Sequence, residues 1–527
     1  MKGALILVIA NVLVKVIGAA FKIPLARLLG EEGMGIFSDA YTTYTFMFII
    51  ATAGLPVAVS KMISESESFG KKEEVRKILG VSLRILGIIG VVGSVALFVG
   101  AQAFANALGN PYAAAGIRAI SPAVLFVSIM SAFRGFFQGH QNMTPTAVSE
   151  VMEALGKLIL GYALAYYFMK TVPGDWARMS LGAAGAMMGI SIGALLALLV
   201  LIVYYLKCRR RLYVGDTSLT PPRSAREIAK KLITIAIPIT IGASVFSLTS
   251  LIDMAMVKHR LMSAGFSNGD AVAMYGLYAG FAVPLFNLPP TLISSVSISV
   301  VPVISSAFAA KKTKLMQDTA AISLKVTVLF ALPCAVGLSI LANPILELLY
   351  NNTGATQILS ILGYAVVFVS LVMVTNAILQ AMGKVNLPVR NMLIGGVAKI
   401  IINFFLVGNP HINIVGAPIA TNVCYILILA LNLYAVVKTA GMRLKIGELV
   451  LKPLLCVAAM AAVVLTVYGL TRTMSVFLCT MLSIGAGGIT YLAMLFLTKA
   501  ITYADVLMLP KGETLANYML RYHLIQK

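Results

Sequence analysis

Apolar stretches of about twenty residues recur along the whole chain, and short polar segments separate them. A stretch of this length, folded as an α-helix that rises about 1.5 Å per residue, crosses the ~30 Å hydrocarbon core of a bilayer. A helix also pairs its own backbone N–H and C=O groups, which lipid cannot do. The pattern therefore predicts about fourteen transmembrane helices, at residues 4–25, 36–60, 78–104, 114–137, 146–169, 180–206, 231–257, 273–308, 318–342, 357–381, 389–407, 414–437, 451–471 and 475–498.

The chain has 527 residues, of which 59% are apolar and only 11% are charged. Soluble globular proteins carry about 25% charged residues, so this chain could not cover a water-facing surface of ordinary polarity. The polar segments are too short for a soluble catalytic domain, and no phosphate-binding Gly-Lys-Ser/Thr loop, paired-histidine metal motif or nucleophile elbow is present in the sequence. We therefore predict an all-α polytopic membrane protein that is not an enzyme and uses no cofactor or metal.

Basic residues outnumber acidic residues by 41 to 19, which gives a formal net charge of +22. Cytoplasmic loops of membrane proteins are rich in Lys and Arg. With both termini placed in the cytoplasm, the predicted inner loops collect 26 basic residues and the outer loops collect six. The inverse topology would reverse this ratio. We therefore expect both termini to be cytoplasmic, and we attribute the positive charge to topology rather than to a nucleic-acid partner.

An internal repeat relates the two halves of the chain. Residues 123–128 (AVLFVS) match residues 365–370 (AVVFVS) at an offset of 242, and the same offset pairs Lys157 with Lys399. Chance similarity between apolar sequences is disfavoured, because the matches include polar residues that are rare inside membranes. Spans four to six therefore resemble spans ten to twelve.

A second offset, of 231 residues, pairs Gly185 with Gly416 and continues the repeat. Six spans separate the two copies, so both insert in the same orientation, as in parallel-repeat transporters with a central cavity. The repeat predicts the following organisation: an N-lobe at 1–206 (spans one to six), a basic cytoplasmic linker at 207–230, a C-lobe at 231–437 (spans seven to twelve), spans thirteen and fourteen at 438–498, and an amphipathic cytoplasmic tail at 499–527.

Charged side chains inside predicted spans are candidate functional residues, because a charge at mid-bilayer costs at least about 2.5–3.5 kcal/mol. In span one, Lys15 and Lys22 lie on one helical stripe, and Arg27 follows near the outer end. Lys15 lies deep in the span, so it either faces an aqueous cavity or forms a structural ion pair. Asp39 opens span two and either pairs with these cations or caps its own helix.

Span five begins with Glu150, Glu153 and Lys157 on one helical face. A Glu–Lys pair at i,i+4 accounts for part of this charge. The remaining carboxylate, Glu150 or Glu153, is a candidate proton carrier or a partner for Lys15. Lys399 in span eleven is the repeat partner of Lys157.

The inward-facing charges tend to be cationic, and Lys and Arg bind phosphate oxygens through charge-assisted hydrogen bonds. The candidate substrate-binding residues are Lys15, Lys22, Arg27, Asp39, Glu150, Glu153, Lys157 and Lys399. Four arginines near span ends are instead expected to contact lipid head groups: Arg84, Arg118, Arg134 and Arg390.

Three stretches carry a family resemblance: residues 24–37 (PLARLLGEEGMGIF), 53–65 (AGLPVAVSKMISE) and 133–145 (FRGFFQGHQNMTP). Together they resemble the polysaccharide-exporter branch of the multidrug/oligosaccharidyl-lipid/polysaccharide flippase superfamily, and within it the Gram-positive group that includes stage V sporulation protein B and the lipid II flippase. The resemblance implies a fourteen-helix, two-lobed transporter of the bacterial cell membrane. Such proteins move undecaprenyl-pyrophosphate-linked sugars from the inner to the outer leaflet.

The resemblance also assigns roles to residues. Basic residues of the first helix hold the pyrophosphate in that family, which here implies Lys15, Lys22 and Arg27. Many lipid II flippases have an arginine early in span eight, where this chain has Leu277 and Tyr278.

Some members of the family bind sodium between spans seven, eleven and twelve, where this chain has Asp253, Asn403 and Thr421 as candidate ion-coupling residues. Lys399, one helical turn from Asn403, would repel a cation at that place. We therefore expect the Lys399 ammonium to occupy the position of the sodium ion.

The sequence favours a flippase for a lipid-linked cell-wall precursor, which would work by alternating access. The alternative is an ion-coupled multidrug extruder of the same superfamily, although an extruder of cationic drugs would favour an acidic cavity. A membrane-embedded glycosyltransferase is a third class, disfavoured because the outer loops are short. Expected partners are the lipid-linked oligosaccharide and membrane lipids, with cell-wall polymerases as further candidates, and we expect a monomeric transporter.

Overall fold

The computed structural model of the chain describes residues 2–212, 221–442 and 447–500. These residues form helices and turns with no β-strand among them, which confirms the all-α prediction. The α-helices in chain order are α1 (Lys2–Thr52), α2 (Leu55–Ser68), α3 (Lys72–Ala107), α4 (Ala114–Gly139), α5 (Thr144–Gly156), α6 (Tyr162–Thr171), α7 (Asp175–Leu212), α8 (Ala225–Ser263), α9 (Asn268–Gly276), α10 (Val283–Phe286), α11 (Leu288–Ala309), α12 (Thr313–Ile340), α13 (Ala342–Tyr350), α14 (Thr356–Ala381), α15 (Asn386–Val407), α16 (Gly416–Ala440), α17 (Lys452–Leu470) and α18 (Val476–Leu497). The predicted tail lies outside the described residues from 501 onward, as does the linker segment 213–220.

Twelve segments of the described chain are long and apolar enough to cross a membrane. The first of them, Ile9–Ser68, contains two predicted spans, and α8 corresponds to predicted span seven. The protein is therefore a multi-pass membrane protein. The observed helices are compatible with fourteen spans, and that count stays a prediction.

Spans one and two are joined without a loop. α1 continues through both, and Gly30 alone leaves the helical conformation, with φ 69° and ψ −167°. This region of backbone conformation is open essentially to glycine, because a Cβ would clash with the neighbouring peptide groups. Gly30 therefore sets the change of direction between the two spans.

Among the residues that the structure describes, π-helical turns occur at Lys157–Gly161, Leu277–Ala282 and Gly447–Leu451. The second of them, together with the break between α10 and α11, divides the long predicted span 273–308. A π-turn carries one extra residue and so rotates the side chains that follow it.

The chain forms two compact units, Met1–Gly280 and Phe281–Lys527. In the first unit, α4 packs against α1, α2, α3 and α7, and α5 packs against α1 and α7. α8 and α9 also pack against α1 in this unit. The boundary at Gly280 differs from the predicted boundary at the linker because these two helices associate with α1; the lobes predicted from the repeat stay a prediction.

In the second unit, α14 packs against α11, α12 and α16, and α15 packs against α16. The last two helices, α17 and α18, pair with each other, and α17 packs on α12. The Tyr491 hydroxyl donates a hydrogen bond to the carbonyl of Leu329 (2.7 Å) and fixes α18 to α12.

Equivalent contacts recur in the two units at the offsets of the sequence repeat. In the first unit the Ser191 hydroxyl donates to the Ala119 carbonyl (2.7 Å), and in the second the Asn422 amide donates to the Ile361 carbonyl (2.8 Å). Residues 119 and 361 differ by 242, and residues 191 and 422 differ by 231. The two units therefore build the same helix junction, which supports the parallel repeat.

Candidate anion-binding site

Two lysines of the first unit lie around one tyrosine ring. The Lys22 Nζ is 5.9 Å from the centroid of the Tyr41 ring, and the Lys157 Nζ is 5.0 Å from the same centroid. Lys157 also lies over the Phe21 ring, at 5.1 Å. Both lysines are half-buried. Cation–π attraction holds an ammonium group at such distances without neutralising its charge.

The tyrosine is one member of an aromatic ladder on α1. Phe37 and Tyr41 stack with centroids 5.8 Å apart and ring planes 9° apart, and Tyr41 and Tyr44 lie 6.2 Å apart. Spacings of three and four residues put these side chains on one helical face. Phe21, from the first half of α1, joins the ladder at Phe37 with centroids 6.2 Å apart.

Close backbone contact with α7 positions Lys157. The π-turn begins at Lys157 and ends at Gly161, and a Cβ added to Gly189 of α7 would overlap the backbone of that turn. Only glycine allows α7 to approach so closely. π-turns within α-helices are frequent at functional sites.

Neither Lys22 nor Lys157 has a carboxylate within ion-pair distance among the described residues. The predicted pairing of Lys157 with a glutamate of its own helix is wrong. Glu153 instead accepts a hydrogen bond from Arg134 of α4, with Nη2 and Oε2 2.9 Å apart. Arg134 was expected to contact lipid, and that expectation is also wrong. Neither lysine is therefore neutralised by a carboxylate in the described part of the chain.

Asp39 does not join the lysines. Its carboxylate pairs with Lys258 of α8 (Nζ–Oδ2 2.7 Å), and both side chains are fully buried. The Asn110 amide donates to the same oxygen (2.6 Å). Asp39 therefore neither pairs with the cations of span one nor caps its helix, and both predicted roles are wrong. Its partner, Lys258, was predicted to lie in an outer loop.

Lys15 and Arg27 lie on either side of Lys22 in the first half of α1, and both are exposed. Leu13 and Val16, the neighbours of Lys15, are also exposed, so the first unit does not cover this part of the helix. Among the described residues no carboxylate pairs with Lys15, so the structural ion pair is not observed. The assignment of both residues to the substrate stays a prediction.

The family model for polysaccharide biosynthesis proteins matches residues 1–308, which is more than half of the chain. The chain belongs to the polysaccharide biosynthesis protein family. A second family model, MatE, matches residues 238–405. The two matches confirm the resemblance to the multidrug/oligosaccharidyl-lipid/polysaccharide superfamily.

Two curated relatives come from Bacillus subtilis. The lipid II flippase MurJ is 29% identical over 85% of this chain and 84% of its own length. Stage V sporulation protein B is 27% identical over 85% of each chain. Among solved structures, the lipid II flippase MurJ in an inward closed conformation superposes with a TM-score of 0.69, at 15% identity, over 94% of this chain and 98% of that one. At that identity the superposition establishes the fold alone.

The ion-coupling candidates of this polysaccharide biosynthesis protein are divided between the units. Asp253 lies buried on α8 of the first unit, whereas Asn403 and Thr421 lie buried on the adjacent helices α15 and α16 of the second. Lys399 is half-buried one turn before Asn403. No group of three or more His, Cys, Asp or Glu side chains that could hold a metal is found within the described ranges. The expectation about sodium stays a prediction.

An amide network in the second unit was missed by the sequence analysis. Asn432 of α16 donates to Asn376 (2.8 Å) and to Thr375 (3.1 Å) of α14, and accepts from Asn391 of α15 (2.9 Å). Asparagines within apolar spans were visible in the sequence, but their meeting across three helices needed the fold. Asn376 is the repeat counterpart of Arg134. The amide network therefore stabilises the second unit at the junction where Arg134 pairs with Glu153 in the first unit.

Proposed function

We propose that this transporter is a flippase that moves a polyprenyl-diphosphate-linked cell-wall precursor from the inner to the outer leaflet by alternating access. The observation that carries the proposal is the pair Lys22 and Lys157, two cations around Tyr41 with no carboxylate partner among the described residues. Two ammonium groups can each donate hydrogen bonds to the oxygens of a diphosphate. The relative named lipid II flippase, which matches most of the chain, supports this substrate class.

The surroundings of the lysines suit the rest of such a molecule. Aromatic rings line the site, and the first half of α1 presents exposed Leu13 and Val16 beside Lys15. The diphosphate and sugar would occupy the polar site, while the polyprenyl chain stays in lipid. Ion gradients, the membrane potential or the substrate gradient would supply the energy, the termini would lie in the cytoplasm, and no covalent chemistry is needed.

A second candidate is an ion-coupled multidrug extruder, and the observation that favours it is the MatE match over residues 238–405. Cationic drugs would be repelled by Lys22 and Lys157. The two functions therefore predict opposite effects when these charges are removed.

The test is a flipping assay with the full chain in proteoliposomes that contain a fluorescent undecaprenyl-diphosphate sugar, read with a membrane-impermeant quencher. Hydrogen bonds to charged groups contribute about 1.5–3 kcal/mol, so each lysine-to-alanine change should slow flipping about tenfold or more at limiting substrate. Lys22→Ala with Lys157→Ala should abolish it, and the arginine variants should retain most of it.

Lys170→Ala is the matched control, because its Nζ also lies over a tyrosine ring, that of Tyr166 at 4.7 Å, but at the end of α6. This variant should flip at the wild-type rate. An unimpaired Lys22/Lys157 double variant would remove the proposed site. Faster efflux of a cationic dye by the double variant, with no flipping by the wild type, would favour the extruder.

A further inference from the structure

A second polar cluster lies next to the lysine site, where α1, α4 and α5 meet. Arg134 donates through Nη2 to Glu153 (2.9 Å) and through Nε to the Ser149 hydroxyl (3.0 Å). Arg134 and Glu153 are also the charged groups that act on the Glu150 carboxyl. One guanidinium thus faces two carboxylates, and the cluster would carry an excess negative charge if both were ionised.

Two buried polar atoms of this cluster have no hydrogen-bond partner among the described residues: Glu150 Oε2 and the Tyr44 hydroxyl. Tyr44 is only 4% exposed, and Arg134 and Glu153 act electrostatically on its hydroxyl too. α7, which also packs on α5, has no charged residue between Arg178 and Lys207, and its Gly193 lies against the backbone of Glu153 and Lys157. Burying an unpaired carboxylate is costly, whereas a proton removes the charge and turns one oxygen into a donor.

The second repeat is an internal control for this junction. At the offset of 242, Asn376 stands where the first unit has Arg134, and Asn391 stands where it has Ser149. Met392 replaces Glu150, and its sulfur accepts a contact from the Asn376 amide (3.8 Å).

The amides of the second unit have no buried side-chain atom without a partner at this junction. Arg390 also donates to the Asn391 amide oxygen (Nη2–Oδ1 3.4 Å), so the same helix packing is built there with one cation but without a carboxylate. Since the fold does not require a carboxylate at this place, the buried and unpartnered Oε2 atom of the half-buried Glu150 is better explained by a ligand than by packing.

We infer that Glu150 is a proton-binding site, and that the proton on Glu150 favours binding of an anion at Lys22 and Lys157. The aromatic ladder joins the two places, since the Tyr41 ring touches the lysines and lies 6.2 Å from the Tyr44 ring. Glu150 precedes Lys157 by seven residues, or about 10 Å of helix. Loss of its proton adds a negative charge at that distance, which weakens anion binding about tenfold at an effective dielectric constant of about 20. The linkage part rests on the proposed function; the proton site does not.

The proton itself is measured by infrared difference spectroscopy of the purified full chain during a pH titration. Wild type should show the C=O stretch of a protonated carboxylic acid, shifted in heavy water, and Glu150→Gln should lose it. Glu150→Met, which copies the second repeat, should fold and lose the band as well. Asp253→Asn, which removes another buried carboxyl of the first unit, should keep it. A band that persists in Glu150→Gln, a wild type without the band, or a sodium-dependent signal that Glu150→Gln removes would each overturn the proton site.

The linkage is measured with inorganic pyrophosphate as the probe, at one pH below and one above the transition of the band. The affinity of wild type should fall about tenfold more between the two pH values than that of Glu150→Gln, so that the titration of the probe itself cancels. Equal changes in both proteins would overturn the linkage. The infrared band can behave as expected while Lys22→Ala and Lys157→Ala leave pyrophosphate binding unchanged. That outcome would refute the proposed function but not the proton site.

Discussion

The buried ion pair between Asp39 and Lys258 gives a stability prediction that the structure makes quantitative. Both side chains are fully buried, the two charged atoms are 2.7 Å apart, and the Asn110 amide supplies one further hydrogen bond. The other carboxylate oxygen, Oδ1, has no hydrogen-bond partner in the described part of the chain. Removing either charge therefore leaves the other buried and poorly compensated.

Breaking a buried pair from one side typically costs about 3–5 kcal/mol, whereas replacing both partners by neutral residues is often close to neutral. Lys258→Met and Asp39→Asn should each lower the free energy of unfolding by about 3–5 kcal/mol. The double variant should recover most of that loss, with a coupling energy above about 2 kcal/mol. The loss for Asp39→Asn should lie at the lower end of this range. In that variant the Lys258 ammonium remains buried, and its cation–π contact with the Tyr275 ring, at 5.5 Å, partly compensates its charge.

The assay is reversible unfolding of the full chain in mixed micelles of a mild detergent and dodecyl sulfate, followed by the circular dichroism of the helices. Lys231→Met is the matched control, because Lys231 pairs with Glu65 at 2.9 Å but both side chains are more than a third exposed. Exposed pairs contribute about 0–1 kcal/mol, so this variant should remain near wild type. Additive losses in the Asp39/Lys258 double variant would refute the reasoning, since they would mean that the two charges do not stabilise each other.

Three further changes test other parts of the structure, the first two in the same unfolding assay and the third in the flipping assay. Gly30→Ala should cost about 1–3 kcal/mol, because its backbone conformation is nearly restricted to glycine although no atom would meet the new Cβ; Gly18→Ala, helical and equally open, should be neutral or stabilising. Asn432→Leu should cost about 2–4 kcal/mol, because it leaves the other amides of the second unit unpaired, and a loss below 1 kcal/mol would contradict that network. Gly189→Ala should slow substrate flipping, because a Cβ there pushes α7 off the π-turn that positions Lys157. Flipping at the wild-type rate would show that the turn tolerates the shift.

Hydrophobic length predicted most of the fold. Most predicted spans overlap one observed helix or one unbroken helical segment, because the bilayer sets a similar length for every crossing. The join at Gly30 was not predictable from length, since a single residue with positive φ replaces the expected loop. The break within 273–308 was not predictable from length either, since Pro289 and Pro290 mark a discontinuity without specifying the π-turn before it.

The site was predicted less completely, and the reason is physical. Lys22 and Lys157 could be found because a lysine in an apolar span is costly and therefore conspicuous. The aromatic rings that these lysines contact could not be identified in advance, because an aromatic residue in an apolar span has no charge that would mark it in the sequence. Asp39 and Lys258 are 219 residues apart, and only tertiary packing of α8 on α1 brings them together. Local spacing even misled, since Glu153 lies one turn from Lys157 but pairs with Arg134.

The duplication offers a stronger filter than either spacing or burial for deciding which intramembrane polar residues serve function. Where both units place a hydrogen bond at equivalent positions, as Ser191 and Asn422 do, the group belongs to the architecture, because each half needs it to hold its helices. Where one unit has a carboxylate and the other builds the same junction without one, the carboxylate is not needed for folding. This criterion supports the proton-binding role inferred for Glu150, since its counterpart is Met392. Lys157 differs, because its counterpart Lys399 is also a lysine. The sequence predicts that this second lysine also binds substrate, so Lys399→Ala should slow flipping even when Lys22 and Lys157 are intact.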